Sequence, residues 1–146
     1  MADIHHRVGI KSSSEAVYEA LTTNAGLSKW WTNDVSGAGD VGSTIEFRFN
    51  GGGPDFIVTG LIPNKKVCWQ HSGSVPEPWI GTEILFLLDT DKEQTFVRFT
   101  HSGWKESSDF MAHCSTKWAV FLISLKDSLE LDAGKPFPND IQIDHS

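Results

Sequence analysis

Between residues 110 and 129 the apolar side chains Phe110, Cys114, Trp118, Phe121, Leu125 and Leu129 step by four, four, three, four and four. That spacing writes one continuous stripe along an α-helix, widened by Met111 and Leu122. Ser107 or Ser108 can cap its start. The pattern ends near Asp132, with Gly134 as a C-cap and Pro136 just beyond. A helix of about 25 residues is about 37 Å long. It buries such a stripe only by lying across a whole sheet, so a sheet must precede it.

Period-two segments supply that sheet. Ile4, His6, Val8 and Ile10 alternate with polar or small residues, and Ile45, Phe47 and Phe49 alternate with Thr44, Glu46 and Arg48. Further strands are expected over 56–62, 66–72, 82–89 and 94–101. In the last of these, Phe96, Arg98 and Thr100 face one way and Val97, Phe99 and His101 the other. After the first strand, Ser12 and Glu15 fit a capping box opening a helix to about Thr22. A short second helix is expected over 26–31 and a glycine-rich loop over 33–42. The plan is α+β: a curved antiparallel sheet of about six strands around a long C-terminal helix, with two short helices after the first strand. Residues 1–134 form this domain, and 135–146 read as a tail with little core material.

Charge and cysteine usage exclude several classes. With 12 Lys+Arg against 19 Asp+Glu the chain carries −7, opposite to a nucleic-acid footprint and unsuited to an anionic membrane surface. No apolar stretch reaches the roughly 18 residues of a membrane span, and 1–11 lacks a secretory signal. Cys68 and Cys114 read as reduced core thiols, and the expected location is the cytoplasm.

Several residue groups bear on chemistry. Six histidines raise the question of a metal, but no HxH, HExxH or CxxC spacing occurs, so neither metal nor cofactor is expected. Glu46 with Arg48 reads as a solvated sheet face, and Glu83 with Arg98 as a cross-strand ion pair. No serine, cysteine or histidine stands in a nucleophile motif, so no catalytic residue is assigned. Cys114 reads as a buried hydrophobe. The unusual signal is aromatic: six Trp and nine Phe against one Tyr. Trp69, Trp79, Trp104 and Trp118 come from a strand, a proline-rich loop, a strand exit and the long helix. With His71, Arg98 and His101 as polar partners, they are the expected lining of a ligand cavity. Trp30 and Trp31 read as a plug between short helix and sheet.

The chain also resembles a known superfamily. Residues 13–23 (SSEAVYEALTT), 26–31 with the paired tryptophans, 41–49, Val67-Cys68-Trp69, 95–104 and the long helix with Trp118 and Leu125 follow one another as in the START-like, SRPBCC helix-grip proteins. Within these the chain is most similar to the branch named after the C-terminal domain of the activator of the heat-shock protein 90 ATPase. The resemblance implies a helix-grip fold and an interior cavity. It leaves function open among relatives that include polyketide cyclases, lipid carriers and chaperone activators. The leading expectation is binding of a hydrophobic or amphipathic small molecule without catalysis. The alternatives are a protein-interaction module resembling a chaperone ATPase activator domain, and a cyclase- or hydratase-type enzyme.

Overall fold

The computed structural model describes residues 2–72 and 76–144. The elements are β1 (Ala2–Ile10), α1 (Ser14–Thr22), α2 (Asn24–Leu27), β2 (Asp34–Ser36), β3 (Thr44–Arg48), β4 (Asp55–Ile62), β5 (Lys66–Ser72), β6 (Glu83–Asp91), β7 (Gln94–Trp104) and α3 (Asp109–Glu130), with a 3-10 turn at Glu77–Trp79 between β5 and β6. The strands form one antiparallel sheet in the order β1-β7-β6-β5-β4-β3-β2. The helix-grip plan is therefore present, with seven strands among the described residues rather than six. The additional strand, β2, lies in the segment expected to be loop. It has only three residues, and pairing with β3 holds it rather than any pattern of its own.

Local chemistry explains the other shifts from expectation. Ser13, not Ser12, caps α1, its hydroxyl accepting from the Ala16 N–H. The Ser12 carbonyl instead accepts from the Thr95 hydroxyl at 2.8 Å. The second helix is shorter and earlier than expected, because Thr23 caps it through the Gly26 N–H. Ser108 caps α3 at Met111 N. The left-handed residue after α3 is Asp132, at φ 50°. Gly134 matters for another reason: a Cβ there would collide with the carbonyl oxygen of Lys29.

The concave face of the sheet holds Ile45, Phe47, Phe56, Trp69, Phe86 and Phe99, all essentially buried. Against it α3 lays Trp118, Phe121, Leu122 and Leu125, also buried. α3 also seals the open edge of β1, since His6 Nε2 donates to the Ser115 carbonyl at 2.9 Å and Lys126 Nζ donates to that of Gly9. Residues beyond α3 are not loose. Phe137 N donates to the Trp31 carbonyl at 2.8 Å, Lys135 N donates to the Ser124 hydroxyl, and Asp140 is buried. Cys68 is half-buried on the convex side of β5 rather than in the core, and both cysteines are free.

One irregularity positions the site. Ala2 pairs with Trp104 but Ile4 with His101, so β7 carries one extra residue there. Gly103 supplies the turn at φ 88°. The bulge reverses the alternation. His101 and Trp104, three residues apart, consequently both point inward and are buried.

Candidate functional site

A pocket of about 350 Å³ opens at one end of the grip. Its floor is Trp31 with Trp118 and Phe121 of α3. Phe49, Pro54 and Trp79 form the sheet side, and Phe110 stands at the mouth. The remaining wall is the segment after α3, through Phe137, Asp140 and Gln142. Phe137 lies edge-on to Phe49 at 5.3 Å. Trp31 meets Trp118 at 4.9 Å and stacks parallel to Trp69 at 6.2 Å. Tryptophan and phenylalanine dominate the lining, and the volume lies at the lower end of the range for drug-sized ligands.

The seven candidate residues separate into layers. Trp79 and Trp118 line the pocket. His101 lies directly behind them, its ring 5.3 Å from that of Trp79 and 6.1 Å from that of Trp118. Trp104 lies behind His101, donating its indole N–H to the His101 carbonyl. Trp69 lies behind Trp31 in the core. His71 accepts the Gly81 N–H on Nε2 at 2.7 Å and so fixes the strand entry below Trp79. Arg98 is not part of the site. It stands exposed on the convex face and pairs with Asp89. It does not pair with Glu83, because β6 places Leu87 opposite Arg98 and Ser102 opposite Glu83.

The histidine behind the pocket has a fixed state. Trp118 Nε1–H donates to His101 Nδ1 at 3.2 Å, so Nδ1 carries no proton. Nε2 therefore carries it, facing Thr82 Oγ1 at 2.8 Å, and Thr82 in turn donates to the Trp79 carbonyl at 2.6 Å. Burial, with a smaller contribution from His71, lowers the His101 pKa to about 3. Burial also lowers that of His71. Among the described residues no three His, Cys, Asp or Glu side chains cluster as metal ligands would.

Polar chemistry within the pocket comes from residues outside the seven candidates. Lys117 Nζ forms an ion pair with Asp140 and donates to the Ile141 carbonyl at 3.0 Å. His113 Nδ1 lies 2.8 Å from Asp144 at the rim. Cys114 lies on the pocket wall as a thiol, its pKa pushed up to about 11 by burial and partly offset by the nearby Trp79 indole. The buried Trp79 N–H has no hydrogen-bond acceptor among the described residues. Trp31, besides plugging the space between short helix and sheet, also lies on the pocket floor. The paired tryptophans are legible in the sequence, but the contribution of 135–142 is not, since its few apolar residues show no periodicity.

Comparison with known proteins places this geometry. Residues 11–130 match the family model described as Activator of Hsp90 ATPase homolog 1-like protein. A search of curated proteins found no match. Among solved structures, the chain is similar to the Aha1 dimer from Colwellia psychrerythraea, determined in solution, at 71% identity and TM-score 0.86 over 92% of this chain and 100% of that one. A protein from Staphylococcus saprophyticus is 18% identical with TM-score 0.77, over 91% of this chain and 95% of its own. DynU16, a putative protein in the dynemicin biosynthetic locus, is 20% identical with TM-score 0.78, over 92% of this chain and 49% of its own. The last two share the fold. No helix among the described residues is long and apolar enough to cross a membrane.

Proposed function

The chain belongs to the Activator of Hsp90 ATPase homolog 1-like family, and we propose that it binds a hydrophobic or amphipathic small molecule in the aromatic pocket without transforming it. The observation that carries this reading is the pocket of about 350 Å³ between α3, the sheet rim and residues 137–142. A solid core would have left Trp79 and Trp118 packed on one another. Enclosure is the mechanism: each Å² of apolar ligand surface removed from water contributes roughly 25 cal/mol. His101 acts behind the wall, holding the Trp118 indole through Nδ1 and, by way of Thr82, the Trp79 backbone. Binding without turnover is supported by the state of Cys114 on the pocket wall. Cys114 is a protonated thiol at neutral pH, and the adjacent His113 engages Asp144 instead. The two free cysteines support a reducing compartment, the cytoplasm, as the location.

Native mass spectrometry of freshly purified protein tests the reading. A small molecule is expected to travel with the wild type and be lost from Cys114→Trp, whose indole fills the pocket. Equal retention by both, or nothing bound by the wild type even after incubation with a library of apolar compounds, defeats it.

A second reading rests on the 71% identical relative determined as a dimer. Protein contact, with a second copy or with a chaperone ATPase, would then be the role of the domain. Light scattering at micromolar concentration separates the self-contact from the rest: a mass twice that of the single chain supports a dimer, and a single-chain mass at every concentration removes it.

A further inference from the structure

Two formal charges reach the pocket wall, and they cancel. Lys117 and Asp140 pair with one another, their side chains 20% and 3% exposed. Lys117 Nζ also donates to the Ile141 carbonyl at 3.0 Å and lies 5.1 Å from the centre of the Phe121 ring. One aromatic face of the lining, that of Phe121, therefore already has a cation of the protein beside it. The second oxygen of the Asp140 carboxylate is buried and has no hydrogen-bond partner among the described residues. Among the described residues Lys117 is the counter-charge paired with it. His113 and Asp144 stand at the rim with side chains 44% and 60% exposed, where water screens them. The rest of the wall is mostly aromatic, with Pro54, the Cys114 thiol and the neutral Gln142 amide, and carries no further formal charge.

We propose that this pocket selects uncharged ligands: an apolar ring body bearing at most a neutral hydrogen-bonding group such as a hydroxyl or amide. The inference rests on the small-molecule reading above. An anionic ligand brings its charge near the carboxylate of Asp140, and a cationic one near the ammonium of Lys117. Either must displace half of the existing ion pair or remain uncompensated among largely aromatic walls, and burying an unpaired charge is costly. A neutral molecule meets neither cost. The corollary is that removing one member of the pair converts the preference. Asp140→Asn leaves the Lys117 charge to a ligand anion, and Lys117→Met leaves the Asp140 charge to a ligand cation.

Three naphthalene probes of matched shape test this: 2-naphthylmethanol, 2-naphthoate and 2-naphthylmethylammonium. Each is titrated at pH 7.5 by calorimetry, with the tryptophan indole N–H resonances followed by NMR. For the wild type, the alcohol is expected to bind at least about tenfold more tightly than either ion, given the cost of an unpaired buried charge. In Asp140→Asn the naphthoate gains at least about tenfold relative to the alcohol, and in Lys117→Met the ammonium does. Either ion binding the wild type as tightly as the alcohol overturns the neutrality inference while leaving the small-molecule reading intact. So does an unchanged order in variants with native circular dichroism. Failure of all three probes to bind overturns both. Should Lys117→Met not fold, the wild-type series and Asp140→Asn decide the matter.

Discussion

Trp118 and His101 are locked to each other, with the indole N–H of the helix residue held by Nδ1 of the strand residue at 3.2 Å. The bond ties the floor of the pocket to the sheet behind it. It also requires His101 to be neutral, because a proton on Nδ1 would face the N–H it now accepts.

Stability should therefore fall on mild acidification. The folded pKa of His101 is about 3 against an ordinary 6.5, so the unfolded chain takes up a proton that the folded chain refuses. The contribution is fully present above pH 6.5 and is lost as the pH falls from 6.5 towards 3. Each pH unit in that window costs up to about 1.4 kcal/mol for one such proton. His71, also lowered by burial, adds a smaller effect of the same sign. Unfolding free energies from urea titrations at pH 7, 6 and 5 should decline by ~1–2 kcal/mol in total for the wild type, and the slope should flatten in His101→Leu. An unchanged slope in the variant would refute the assignment.

Two indole-to-phenyl replacements should behave in opposite ways. Trp118→Phe strands His101 Nδ1 without its donor, at a cost of about 1–3 kcal/mol. Trp79→Phe removes a buried N–H that has no acceptor among the described residues. It is expected to unfold within ~0.5 kcal/mol of the wild type or slightly above it. Thermal unfolding of the two variants side by side measures the contrast, and equal losses would contradict it.

Gly103 sits at φ 88°, where an added Cβ would also approach the Gly81 carbonyl oxygen at 3.1 Å. Gly103→Ala should destabilise by about 1–2 kcal/mol, a fall of several degrees in Tm for a chain of this size. Because the bulge aims Trp104 inward, the near-ultraviolet dichroism of the tryptophans should change with it.

Cys114 has its pKa raised to about 11. At pH 7.5 its thiolate is a minute fraction, so iodoacetamide should modify it slowly, with a rate rising about tenfold per pH unit below that pKa. A compound seated in the pocket should slow it further. Rapid labelling at neutral pH, unaffected by such a compound, would speak against a buried pocket thiol.

The sequence made the grip legible because periodicity is a strong signal over long elements. The stripe on α3 and the alternation in β3 and β7 each follow from side-chain direction alone. Alternation also placed Arg98 opposite His101, and the structure sets it on the convex face accordingly; including it among cavity residues conflicted with that pattern. Four aromatic positions suggested a cavity, yet Trp69 and Trp104 back the pocket without lining it. Distinguishing wall from backing depends on how Trp31 and the bulge at Gly103 stack the layers, which no spacing reveals. β2 escaped notice because three residues carry no period. The 135–142 wall carries no such signal because Phe137 and Asp140 are held by tertiary contacts that follow no period: Phe137 by backbone bonds to Trp31 and Asn33 and by the Phe49 ring, Asp140 by Lys117.

The sheet order joins the first strand to the last, β1 lying beside β7 with His5 opposite Thr100. The middle of the sheet is a meander that can zip from neighbour to neighbour, but this final seam spans about ninety residues of chain. Loop-closure entropy must be met before the seam yields any contact, which places it late in folding and slows the whole reaction. A chain emerging from the ribosome thus carries β1, with Ile4 and Ile10 uncovered, until β7 has followed it out. The inward-facing side of that strand is where premature association with other chains would begin.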